Sequence, residues 1–245
     1  MRREFARVLS AAQLLTRLPL PDPGWERGRL ARAARWYPAV GFLLALPAAG
    51  LWLALNLALP SAAAAGLALL LLIVLTGGLH EDGLADTADA LGGHAPRERA
   101  LEIMRDSRIG TYGALALVFS LGLRWAALAS FDPEAGALAL LVALPAGRAG
   151  IALTLALGAY AREEGAAREA AGTTRGEAGF AILTAACAAL LCGAAGMLAL
   201  ALALALAALL LRFTTRRIGG YTGDTLGTAE QFGHTGALLL LAGLL

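Results

Sequence analysis

Lysine is absent from this 245-residue chain; all 20 basic residues are arginine. Beside the abundance of Ala and Leu, this reads as a composition bias of the genome rather than selection for bidentate recognition. The net charge of +2 therefore says little about partners, and nothing points to a nucleic acid. Cysteine is nearly absent too. Cys187 and Cys192 lie five residues apart in one apolar run, hence on different helix faces. That argues against a disulfide or a thiolate metal pair and for small buried hydrophobes. Charge is scarce, at 16% of residues against 58% hydrophobic, and mean hydropathy is +0.68. These values exclude an ordinary soluble domain and leave an integral membrane protein. A signal peptide does not fit the start, because Arg17 follows only a short apolar stretch and Pro19, Pro21 and Pro23 come next.

What the chain does have is long apolar runs. A bilayer core about 30 Å thick needs roughly 20 apolar residues per helix, and residues 38–59, 61–79, 113–131 and 136–159 each supply them. Block 180–211 is too long for one span, and a turn at 193–196 would make it a hairpin of two short helices. The tail, 236–245, would complete one more short helix if that helix starts near Ala229. The expected fold is all-α, a polytopic bundle of six or seven transmembrane helices forming a single catalytic domain over 1–245. Residues 1–36 form an interfacial segment in which Phe5, Val8, Leu9, Ala12 and Leu15 share one helical face. Arg2, Arg3, Arg7 and Gln13 lie mostly off that face, as in a helix resting on anionic headgroups.

The arginines set the orientation. Eight lie in 1–36, four in 91–110, three in 160–178 and three in 212–217, while the intervening connections carry none. By the positive-inside rule those four segments face the cytoplasm, placing the protein in the inner membrane. The same threading brings three polar, glycine-bearing loops, 80–112, 160–178 and 212–233, to one side, where an active site can assemble. Arg124 and Arg148 remain, each roughly 16 Å deep at 1.5 Å per residue, and intramembrane arginines are functional suspects. Arg124 reads equally as structural or functional. Arg148, in Pro145-Ala146-Gly147-Arg148-Ala149-Gly150, has small neighbours that could open a cavity, and is expected to contact a phosphate or other ligand.

The chemistry is concentrated in His80-Glu81-Asp82-Gly83-Leu84-Ala85-Asp86-Thr87-Ala88-Asp89, immediately after an apolar run. On a helix turning about 100° per residue, Asp82, Asp86 and Asp89 fall within roughly 40° of one another and Glu81 points elsewhere. Three carboxylates on one stripe repel unless a cation or arginines sit among them. An acid-only oxygen set suits Mg2+ or Mn2+ rather than zinc. Arg105-Asp106-Ser107-Arg108-Ile109-Gly110 and Gly219-Gly220-Tyr221-Thr222-Gly223-Asp224-Thr225 mix charge with glycine in the manner of anion cradles. With no evident Ser-His-Asp or Cys-His nucleophile, these residues point to phosphoryl transfer between bound substrates.

Four stretches also resemble the cobalamin 5'-phosphate synthase (adenosylcobinamide-GDP ribazoletransferase) family. They are Gly77-Gly78-Leu79-His80-Glu81-Asp82 through Asp89, Ile103-Met104-Arg105-Asp106-Ser107-Arg108-Ile109-Gly110-Thr111, Tyr160-Ala161-Arg162-Glu163-Glu164-Gly165, and Gly219 through Gly227, with Thr16-Arg17-Leu18-Pro19 near the start. The resemblance implies a membrane enzyme that uses Mg2+ to join adenosylcobinamide-GDP to α-ribazole or its 5'-phosphate, releasing GMP. It implies that Asp82, Asp86 and Asp89 hold the metal, that Asp106 and Asp224 are further ligands or a base, and that Arg105, Arg108 and Arg162 bind phosphates, with Arg148 assisting and Thr225 beside the substrate. His80 is expected as a base or supporting group, and His94 and His234 at the surface or an interface. Oligomer formation is left open. CDP-alcohol phosphotransferases also place aspartates on helix ends, but their motif needs Ala-Arg where Asp86-Thr87 stands. A prenyltransferase would need a second acid-rich motif beyond Asp224, and a cation transporter would need acids at mid-depth.

Overall fold

The computed structural model describes residues 2–24 and 26–245. Helices dominate, and among the described residues the only β pairing is an isolated parallel bridge between Tyr160 and Tyr221. Amphipathic α1 (Arg2–Leu15) and the short α2 (Arg29–Ala33) precede α3 (Tyr37–Asn56), α4 (Ser61–Thr76), α5 (Leu79–Gly92) and α6 (Arg97–Ile103). Then come α7 (Thr111–Ala129), α8 (Pro133–Leu157), α9 (Arg175–Ala189), α10 (Gly193–Ile218) and α11 (Gly223–Ala242). Four helical segments are long and apolar enough to cross a membrane, or five if the α4–α5 pair is one broken span. By that measure the expected six or seven are not reached, partly because α9 and α10 count as one 44-residue segment.

The apolar runs form their helices close to where expected, and α3 and α8 make the most extensive helix pair, joined by Trp52, which donates to the Pro133 carbonyl at 2.7 Å. Three details differ. First, the 180–211 hairpin is real: Glu177 near the start of α9 pairs with Arg35, and the end of α10 accepts from Arg97 through the Ile218 carbonyl, so both reach the same end of the bundle. Its turn lies earlier than 193–196, at Leu190–Cys192, closed by Gly193 at φ 55°. Second, α1 turns Ala11 and Leu15 inward while Phe5 is left 68% exposed.

Third, the tail is not a short terminal helix. α11 begins six residues before Ala229 and is packed by α5, α7, α8 and α10 at the centre of the bundle. Its start is fixed by a capping box in which Thr222 and Thr225 satisfy each other's backbone N–H groups. Hydropathy misses it because Thr225, Thr228, Glu230, Gln231 and His234 are all buried within it.

Between α4 and α5 the chain turns by 88° at Gly77 and Gly78, both left-handed (φ 66° and 69°). Such backbone is cheap only for glycine. The turn sends α5 off the apolar direction of α4, so that Glu81 meets Arg124 well along α7 while Asp89, at the far end of α5, meets the start of α7.

Candidate active site

The site is set by how closely α5 and α11 approach. A Cβ on Gly83 would lie 2.7 Å from the Asp224 carbonyl oxygen, and one on Gly227 would lie 3.2 Å from the His80 Cα. The Thr228 hydroxyl donates across the same seam to the Gly83 carbonyl at 3.1 Å. Gly83 therefore admits the facing helix, and Asp224 is brought beside Asp82 and Asp86.

Burial and repulsion from Asp82, Asp224 and Asp89 push the Asp86 carboxyl up to about 7, with Arg162 opposing. Burial likewise raises Asp224, against the pull of Arg162, whose guanidinium donates to it at 2.7 Å. The 160–162 stretch is pinned beside α11 by paired backbone bonds, Ala161 N–H to the Tyr221 carbonyl at 2.8 Å and Tyr221 N–H to the Ala159 carbonyl at 2.9 Å. Arg97 fastens both strands, donating to the Ile218 and Ala161 carbonyls, each at 3.0 Å.

Two clefts meet at Leu79 and Asp82. One, about 330 Å³, is walled by α1, α3, α8 and α11 and rimmed by His80, Arg162 and Asp224. The other, about 430 Å³, holds Arg17, Asp82, Asp86 and Ser107. Asp82, Asp86, Asp224, Arg162 and His80 are thus brought together as the sequence suggests. His80 is 3% exposed and its Nε2 has no hydrogen-bond partner among the described residues.

Other expected site residues lie elsewhere. Asp89 spends both oxygens on the Gly110 and Gly113 N–H groups at 2.7 and 2.8 Å, so it anchors the start of α7 rather than lining a cleft. Asp106 and Arg108 pair with each other on the surface, Arg108 holding the Asp106 carboxyl down near 2. Arg105 is exposed and faces Tyr160 through its charge only. Thr225 is 1% exposed and serves the capping box.

Arg148 lines neither of these two clefts. It donates to Glu230 at 2.9 Å inside the bundle, and its small neighbours serve helix packing, since a Cβ on Gly147 would lie 2.8 Å from the Glu230 carbonyl oxygen. Arg124 donates to Glu81 at 3.2 Å, and Gln231 bridges Glu81 and Glu230 at 3.1 and 3.0 Å. His234 is 2% exposed within this network, not at the surface; its Nδ1 is 3.5 Å from Arg124. Glu81, off the aspartate face, is therefore a structural counter-charge. Sequence reasoning missed Glu230 and Gln231. The available signal was the two buried arginines, which require acids at their own depth.

Among the described residues no three Asp, Glu, His or Cys side chains converge as a preformed metal site. The donor set nevertheless fits a hard cation: carboxylate oxygens only, crowded enough that burial and the neighbouring acids raise the proton affinity of Asp86.

The cobalamin-5-phosphate synthase family model matches residues 7–242. The chain belongs to that family. Relatives named adenosylcobinamide-GDP ribazoletransferase include one from Bradyrhizobium diazoefficiens, 44% identical, with 99% of this chain and 95% of the relative covered. One from Leptothrix cholodnii is 43% identical (94% and 92% covered), and one from Sinorhizobium medicae 39% (96% and 95%). No solved structure matches significantly. Like its relatives in the cobalamin-5-phosphate synthase family, the chain is a membrane transferase of cobalamin biosynthesis.

Proposed function

We propose that this chain joins adenosylcobinamide-GDP to α-ribazole or α-ribazole 5'-phosphate and releases GMP, at a site facing the cytoplasm in the inner membrane. The observation that carries this is near full-length identity of 39–44% to relatives bearing that transferase name. The acid and arginine cleft supplies compatible chemistry. A ribazole hydroxyl oxygen forms a new bond to the phosphorus attached to the cobinamide arm. The bond from that phosphorus to the oxygen bridging it to the guanosine-bearing phosphate breaks, and GMP leaves. The hydroxyl proton passes to a carboxylate oxygen of Asp86, which sits within the same acid cluster as Asp82 and Asp224. Asp82 and Asp224 would hold Mg2+ or Mn2+, which when bound offsets the diphosphate charge. Arg162 binds phosphate oxygens. Detergent-purified protein incubated with both substrates and Mg2+ should yield GMP and the joined cobamide; no product where a family enzyme turns over would refute the assignment.

A further inference from the structure

Resting on that function, we propose that the two clefts divide the two substrates. The 330 Å³ cleft takes the base and ribose of the ribazole, and the 430 Å³ cleft takes the diphosphate of the activated cobinamide, so that the reacting atoms meet at Asp82.

Size decides the first half. A volume of 330 Å³ is at the low end for ligand clefts and admits one nucleoside but no corrinoid. Its walls suit a flat apolar base: Leu14, Leu15, Ile151 and Leu226 line it. Two polar atoms among those walls await a partner. Tyr37 is 1% exposed and its hydroxyl bonds to nothing among the described residues; His80, 3% exposed, has Nδ1 3.9 Å from Glu230 and its Nε2 without a partner among the described residues. Orphaned buried groups of this kind cost about 1–3 kcal/mol each unless satisfied, and an aromatic nitrogen heterocycle with ribose hydroxyls satisfies them. Arg162, at the rim, has a buried Nε without a partner and serves a 5'-phosphate.

The second cleft has the opposite character. Arg17 lies across Gly77, where any Cβ would strike its side chain. Although Arg17 shares a cleft with Asp82 and Asp86, it pairs with no acid among the described residues. An exposed arginine in the same cleft as carboxylates yet unpaired with them is open to an anion such as a diphosphate.

The test is a split of Michaelis constants in the intact protein. Tyr37→Phe, which keeps the ring and removes only an unbonded hydroxyl, should raise KM for ribazole about tenfold and leave that for adenosylcobinamide-GDP unchanged. Arg17→Ala should do the reverse, with partial recovery in Arg17→Lys. Calorimetric titration with α-ribazole 5'-phosphate alone should show the Tyr37→Phe loss directly and no loss in Arg17→Ala. Reversed or equal KM effects in an active enzyme overturn the division of clefts but leave the function standing. A wild-type protein that turns over neither substrate overturns both.

Discussion

Asp82, Asp86 and Asp89 form one stripe on α5 but do three different things. Asp89 accepts two backbone N–H groups at the start of α7, which an amide cannot do with both of its ends. Asp89→Asn should therefore lower the unfolding temperature in detergent, by an amount equivalent to about 1 kcal/mol. Asp82→Asn should abolish turnover without that loss. If Asp89→Asn melts with the wild type, its anchoring role fails. Asp86 gives a pH signature. Its carboxyl is raised from 3.8 to about 7 in the folded protein, so between those values the folded state binds more protons than the unfolded one. Stability is thus fully present below about 4 and falls as pH rises toward 7. Asp86→Asn in the presence of chelator should melt higher than wild type at pH 8 and equal to it at pH 4; a pH-independent difference would contradict the burial and repulsion described. The stripe itself was legible because helical spacing alone fixes it. The division of labour within it was not, because the partners of Asp89 lie more than twenty residues away in sequence.

At the scale of elements, the seam between α5 and α11 holds Asp224 beside the stripe. Gly83→Ala would place a methyl 2.7 Å from a backbone oxygen of the facing helix, forcing the two apart. We expect turnover to fall by about a hundredfold, since displacements near 1 Å cost that much at a reacting centre. Gly122→Ala, which meets nothing within 4 Å, should be silent; equal effects would remove the seam's significance. The small residues around Arg148 were misread for a definite reason. In Pro145-Ala146-Gly147-Arg148-Ala149-Gly150 a lost side chain signals that something approaches closely, but sequence does not say whether it is a ligand or a helix. At Gly147 it is α11, and at Gly150 it is chiefly α10. Helix α11 was itself hidden, because its buried polar residues find partners on α5, α7 and α8 and so need no apolar run of their own.

Across the whole molecule, apolar length and arginine placement were enough to order the bundle, while the bend after α4 was not foreseen because a span and a span broken at Gly77-Gly78 have nearly the same hydropathy. Ser61 begins α4 and Ser107 lies in the loop beside the acids. Single cysteines there, in a background with Cys187→Ser and Cys192→Ser, should react with an impermeant reagent from opposite sides of the membrane. Labelling from one side would overturn the orientation drawn from the arginines.

The two clefts touch only at Leu79 and Asp82, and this governs the order of events. Neither substrate has to vacate a place for the other, and no side chain has to carry a phosphoryl group in the interval. Initial-rate plots against one substrate at fixed levels of the other should form intersecting lines, the sign of a ternary complex. Donor alone should release no GMP, whereas parallel lines with a GMP burst from donor alone would mean that the group is parked on the protein.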